Sequence, residues 1–364
     1  MSILKYTIFV GGLFYMVFST CFSSFAQGLD FHSNSYSKAH ASTDVVFLDA
    51  EKGSIAILDE SYEPYFSKLQ LREIYALTGS LPPSENIEDA RNYARYKFSS
   101  AVTSFTEKEK SAISYVIKVI KRIFLENRLE LIAGHPWRFI KIENWLCGGF
   151  AHTRGAYIIL SQRHLDHLIS NWSDNMTQSD SLLVAKKLGS LLIHEQFHIL
   201  QRYYSWKFDS LYINSWQFEK AEVEVDTTIL LNQITNPDAP KPEWIFKYKN
   251  DYYWARTLID ETPVTPVMGR DFKDVVFSLI YEDGIFRIAK DSLNNNRVQN
   301  LSDFSPYIDS FPVSMGLDHP NEISAYMISE YYISLLEKKA QFRHISQKSA
   351  NFAKAFLLWL DRSF

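Results

Sequence analysis

The sequence predicts an α+β protein with a mostly helical N-terminal region. Three observations carry that expectation. Residues 181–204 are apolar around most of a helix circumference, as in a helix that runs inside a protein. Residues 137–161 and 244–290 show the short alternating or continuous apolar runs of strands. Helical apolar spacing then returns at residues 320–339 and 349–360.

Taken in order, residues 27–43 are polar and serine-rich and read as a flexible leader. Apolar runs at 45–48 and 55–58 around Lys52 and Gly53 suggest a short hairpin. Residues 60–128 read as mostly helical. The clearest helix there carries Ile113, Val116, Ile117 and Ile120 on one face, with Thr106 or Ser104 as its cap. Residues 137–142 alternate, and 155–161 form a short apolar run, with Gly148, Gly149 and His152 in the connection. After the helix at 181–204, residues 221–226 read as a strand leading into the Asn236, Pro237, Asp238 loop. Residues 275–281 and 285–289 flank Asp283 and Gly284, the residues of a tight hairpin turn. Pro320 suits the first position of a helix, with Asp318 or His319 as cap.

The N-terminus reads as an export signal. Lys5 is the only charge before Asp30, an apolar run covers residues 6–18, and Ser24, Phe25 and Ala26 form a small-x-small cleavage pattern before Gln27. Residues 1–26 are therefore expected to be a signal peptide, leaving a domain at 44–364 with no transmembrane span. An uncleaved anchor and lipid attachment at Cys21 are the competing readings. With Cys21 removed, Cys147 stands alone, so neither an intramolecular disulfide nor a cysteine-rich zinc cluster is open to the exported chain. Lys and Arg total 38 against 42 Asp and Glu, which leaves no positive excess for binding nucleic acid.

His194, Glu195 and His198 form an H-E-x-x-H motif on the apolar helix. Histidines four apart stack on one helix face and can grip one Zn²⁺ together. Glu195 then projects beside the ion, placed to take a proton from the water it polarises. Composition alone gives roughly 0.03 chance occurrences of such a motif, and burying unpaired polar groups costs about 2–7 kcal/mol each, so a metal site is favoured over a core cluster.

A third ligand is needed, and no histidine lies between His198 and His319. Two glutamates compete. Glu222 follows His198 by 24 residues and has Asp226 four further on. Glu322 lies far downstream, in the first turn of the helix that Pro320 begins. Residues 221–226 read as a strand whose Glu222 and Glu224 share a solvated face, which favours Glu322. His152 is a candidate to stabilise a tetrahedral oxyanion, and Arg154 to hold a substrate carboxylate.

The motif helix resembles that of the zincin metallopeptidases, of the glutamate-liganded gluzincin type. More narrowly, the chain resembles a group of uncharacterised bacterial zincin-like proteins. That resemblance rests on Glu63 to Phe66 with Thr78 and Gly79, on 149–155, on 234–240, and on His319, Pro320, Asn321, Glu322 and Ile323. It implies a zincin-like core and assigns the glutamate ligand to Glu322. The group's pattern has an acid four residues after that glutamate, where this chain has Tyr326.

The expectation is thus an exported zinc-dependent peptidase. His194, His198 and Glu322 hold the Zn²⁺, Glu195 acts as general base, His152 assists, and a peptide or protein is the substrate. An exported zincin-fold binding protein without turnover, and a zinc hydrolase of non-protein amides, are the alternatives. The export reading makes a direct prediction. Intact-mass analysis of the secreted protein gives a chain starting at Gln27, and retention of residues 1–26 refutes it.

Overall fold

A computed structural model describes residues 45–364 apart from 174, 242, 340, 341 and 343–345. Residues 1–26, expected to be a signal, with Cys21, and residues 27–43, expected to be a leader, lie outside the described residues. Mixed helix and sheet make this an α+β chain, as expected.

The N-terminal part runs β1 (Val45–Phe47), α1 (Ala50–Ala56), α2 (Leu71–Thr78), α3 (Ile87–Ser100), β2 (Val102–Thr103) and α4 (Glu107–Glu126). The hairpin expected around Lys52 and Gly53 is a helix instead. Asp49 caps α1 by accepting from the Lys52 amide at 2.8 Å, and β1 pairs in parallel with a distant strand. Gly53 sits where an added Cβ would come within 2.8 Å of Val102 Cγ1, so it marks close packing and not a turn. Thr106 caps α4 as expected: its hydroxyl accepts from the Glu109 amide at 3.3 Å while Glu109 accepts from the Thr106 amide at 2.8 Å.

After α5 (Glu130–Gly134) come β3 (Trp137–Ile142), β4 (His152–Arg154) and β5 (Tyr157–Ser161), then α6 (Gln162–Leu168). These strands join β1 and β2 in a mixed sheet of order β1-β3-β5-β4, with β2 on β3. β4 is an antiparallel edge strand, and it packs beside α7 (Gln178–Tyr203), the motif helix.

α8 (Ser205–Ser215) leads to a second sheet of β6 (Phe218–Lys220), β7 (Val223–Glu224), β8 (Trp244–Tyr248), β9 (Asp251–Ile259), β10 (Phe272–Glu282), β11 (Ile285–Ile288) and β12 (Val298–Asn300). Asp283 and Gly284 turn β10 into β11 with φ of 53° and 84°, the left-handed backbone that a two-residue hairpin turn demands. The strand expected at 221–226 is only two residues long. Asp226 caps a helix, α9 (Thr227–Asn232), by accepting from the Ile229 amide at 2.9 Å. α10 (Ser305–Ile308), α11 (Pro320–Glu337) and α12 (Gln347–Ser363) complete the chain. Among the described residues no helix is long and apolar enough to cross a membrane.

α7 is the axis of the main core. Leu188, Leu192, Ile193, Phe197 and Leu200 are buried within it, and α11 lies against it. Cross-helix hydrogen bonds fix their antiparallel register. Tyr332 donates to the Ala185 carbonyl at 2.9 Å, and Ser329 to the Ser190 carbonyl at 2.7 Å. Gly189 makes that approach possible, because a Cβ there would fall within 2.7 Å of Tyr332 Cε1. A methyl group at this point forces the tyrosine aside, and such overpacking costs about 1–3 kcal/mol. Gly189→Ala should therefore lower the free energy of unfolding in a urea titration by about that much. An unchanged midpoint and slope would show that the two helices are not held this closely.

Candidate metal centre

The register of α7 and α11 brings three sequence-selected side chains together. His194 and His198 point from successive turns of α7 with Nε2 atoms 3.1 Å apart. Glu322, in the first turn of α11, places Oε2 at 3.4 Å from His194 Nε2 and 3.5 Å from His198 Nε2. A tetrahedral cation with bonds of about 2.0–2.1 Å separates its donors by about 3.3 Å. The triangle therefore has the dimensions of one face of such a coordination sphere. Two imidazoles and a carboxylate are also the donors that zinc accepts in hydrolytic sites.

Neighbouring groups aim each donor. Gln201 Nε2 donates to the Asn321 carbonyl at 2.8 Å and to Ser324 Oγ at 2.9 Å, which leaves its Oε1 facing His198 Nδ1 at 2.8 Å. An amide oxygen only accepts, so Nδ1 carries the proton and Nε2 keeps its lone pair for a cation. Asn236 Nδ2 donates to Glu322 Oε1 at 2.8 Å, leaving Oε2 for the histidines. Pro320 occupies the first turn and His319 caps α11, its Nδ1 accepting from the Asn321 amide at 3.1 Å. No acid stands at position 326. Instead the Tyr326 ring packs edge-on against His194, centroids 4.5 Å apart.

The field at this point is negative. Burial alone would lower the His198 pKa, yet the Glu322 and Asp238 carboxylates raise it to about 10. Burial would likewise push Glu322 up, and the two histidines hold it well below the usual carboxylate range. Arrangements that draw a proton onto an imidazole in this way also favour a divalent cation. Glu195 is buried beside the triangle, its Oε2 without a partner among the described residues. Burial, then Asp238, pushes its carboxyl well above the ordinary range.

Glu222 is elsewhere. It is exposed in the connection between β6 and β7 and is not part of the triangle. Arg154 also departs from its expected role. Its Nη2 donates to the Asp59 carbonyl at 2.9 Å and its guanidinium lies 4.2 Å from the Tyr65 ring, so it braces the N-terminal part. His152 lies near the triangle, in a cavity of about 260 Å³ that Asn236, Arg256, Asp318, Glu322 and Tyr326 also line. Its Nδ1 is 3.2 Å from the Phe150 carbonyl, which can only accept, so that nitrogen carries the proton. Burial lowers the His152 pKa to about 4, leaving a bare Nε2 that offers no N–H to an oxyanion. Tyr326 has the donor His152 lacks: burial, then Glu322 and Glu195, keeps its phenol protonated.

Two residues of this centre were not singled out from sequence. Asp238 accepts from the Thr153 amide at 2.8 Å and from its hydroxyl, and Arg202 Nη2 lies 3.8 Å away, so it ties β4 to α7. Its carboxylate comes within 4.8 Å of donor atoms of Glu195 and His198. Arg256 reaches the cavity from β9. The 234–240 segment pointed to the first, and nothing local marked the second.

No protein-family model, curated protein or solved structure matches the chain.

The geometry ranks the ligands. Glu322→Ala should abolish stoichiometric zinc in metal analysis after dialysis, while Glu222→Ala leaves it intact. Gln201→Leu frees the His198 tautomer and should weaken zinc about 10–100-fold in chelator competition. Equal metal loss in the two glutamate variants would contradict this assignment.

Proposed function

We propose that this protein is an exported, zinc-dependent hydrolase of peptide bonds, built on a zincin-like core. One observation carries the reading. Three buried donors from two clasped helices converge at cation-binding separations, with the buried Glu195 next to them, its Oε2 without a partner among the described residues.

His194, His198 and Glu322 would hold the Zn²⁺. When bound, the ion lowers the pKa of water towards about 7 and polarises a carbonyl oxygen. Glu195 takes the proton of the attacking water through its unengaged Oε2 and returns it to the leaving amine nitrogen. Tyr326, which lines the same cavity and whose phenol burial keeps protonated, donates to the developing oxyanion. Gln201 and Asn236 keep the ligands in register through turnover. The apolar run at 6–18 and the small-x-small pattern before Gln27 support an export signal, and with it action outside the cytoplasm.

Glu195→Gln separates catalysis from binding. The variant should retain one zinc per chain while hydrolysis of a broad peptide library falls by about 10²–10⁴. If wild type and variant both hold zinc and neither hydrolyses any peptide, the protein is a zincin-fold binder, unless purified wall fragments or other non-protein amides are cleaved by the wild type alone.

A further inference from the structure

The guanidinium of Arg256 lines the cavity and is not used by the reaction above. Arg256 stands on β9, in the second sheet, away from both ligand helices in sequence. The residue is 94% buried, being only 6% exposed. Its Nη2 donates to the Ile234 carbonyl at 3.0 Å, and its Nε has no partner among the described residues. The Trp254 ring lies 5.3 Å from the guanidinium carbon. Asp318 lines the same cavity and Glu73 lies nearby, yet neither comes within the 4.0 Å of an ion pair. Glu73 is engaged with the Thr235 amide and hydroxyl.

Burying a guanidinium whose Nε has no partner among the described residues is costly, and an anion beside the guanidinium lowers that cost. Carboxylates fit that fork bidentately. The wall is mixed: Leu77, Ile234, Met268 and Phe272 give it an apolar side, and the Asp238, Asp318 and Glu322 carboxylates line the same space. At about 260 Å³ the cavity has room for one residue rather than an extended segment.

We propose that Arg256 is the anchor for the free α-carboxylate of a substrate's C-terminal apolar residue, which would make this protein a carboxypeptidase-type enzyme. The substrate class rests on the peptidase reading, whereas the carboxylate site does not. Arg256 here takes the role that residue type offered to Arg154. The anchor and Glu322 line one cavity, so a terminal residue held by its carboxylate presents its own amide towards the metal triangle.

The test measures binding rather than turnover. N-acetylphenylalanine and N-acetylphenylalaninamide are titrated calorimetrically into the zinc-loaded Glu195→Gln protein, which does not consume them. The acid should bind at least about tenfold more tightly than the amide. Adding Arg256→Gln should reduce that preference to about twofold or less with zinc content unchanged, and Arg256→Lys should leave an intermediate preference. Equal binding of acid and amide overturns the proposal. So does a preference that survives Arg256→Gln, which would assign the carboxylate to the ion. Should Arg256→Gln fail to fold, Arg256→Lys decides, since a preference equal to that of the starting protein refutes the anchor. Failure of the peptidase reading looks different: the wild type hydrolyses no peptide while the acid–amide preference stands.

Discussion

The antiparallel clasp between α7 and α11 is the constraint on which the rest of the molecule depends. Tyr332 bonds to Ala185, Ser329 to Ser190, and Gln201 to Asn321 and Ser324, so the two helices are stitched above and below the level of the histidines. Between those stitches Glu322 has one place to go, opposite His194 and His198. The clasp collects desolvated acids and imidazoles that would be costly to leave uncompensated, and a divalent cation relieves that cost. Packing and chemistry are thus coupled: the hydrogen bonds that set helix register also set the donor triangle.

Gln201 shows this coupling most plainly. One side chain links the two helices and fixes the His198 tautomer. Asp238 extends the network in another direction, joining the 236–240 loop to β4 through Thr153 and to α7 through Arg202. The loop also contributes Asn236, which turns Glu322 towards the histidines. Loop, edge strand and both helices therefore converge on one negative field, consistent with a preorganised site.

Much of this was legible where local rules operate. The H-E-x-x-H spacing, the Thr106 cap, the Pro320 helix start and the Asp283–Gly284 turn are each set by residues adjacent in the chain. The preference for Glu322 over Glu222 came from the same source, since a proline-started helix holds its first-turn acid on a defined face. Failures occurred where tertiary context decides. Residues 52–53 read as a turn because Gly and Lys suit one, but Asp49 supplied a cap and Val102 a neighbour that only a glycine tolerates. His152 and Arg154 looked functional by residue type, yet the Phe150 and Asp59 carbonyls engage them. Only the 234–240 segment hinted at Asp238, and Arg256 carried no local signature, because both reach the donor triangle through tertiary contacts of β9 and the loop.

X-ray absorption at the zinc edge, on protein reconstituted with one equivalent of zinc, tests the central claim most directly. The account predicts a first shell of nitrogen and oxygen at about 2.0–2.1 Å, with the outer-shell scattering of two imidazoles. A shell at about 2.3 Å from sulfur, or a spectrum of loosely hydrated zinc with no imidazole scattering, would contradict it.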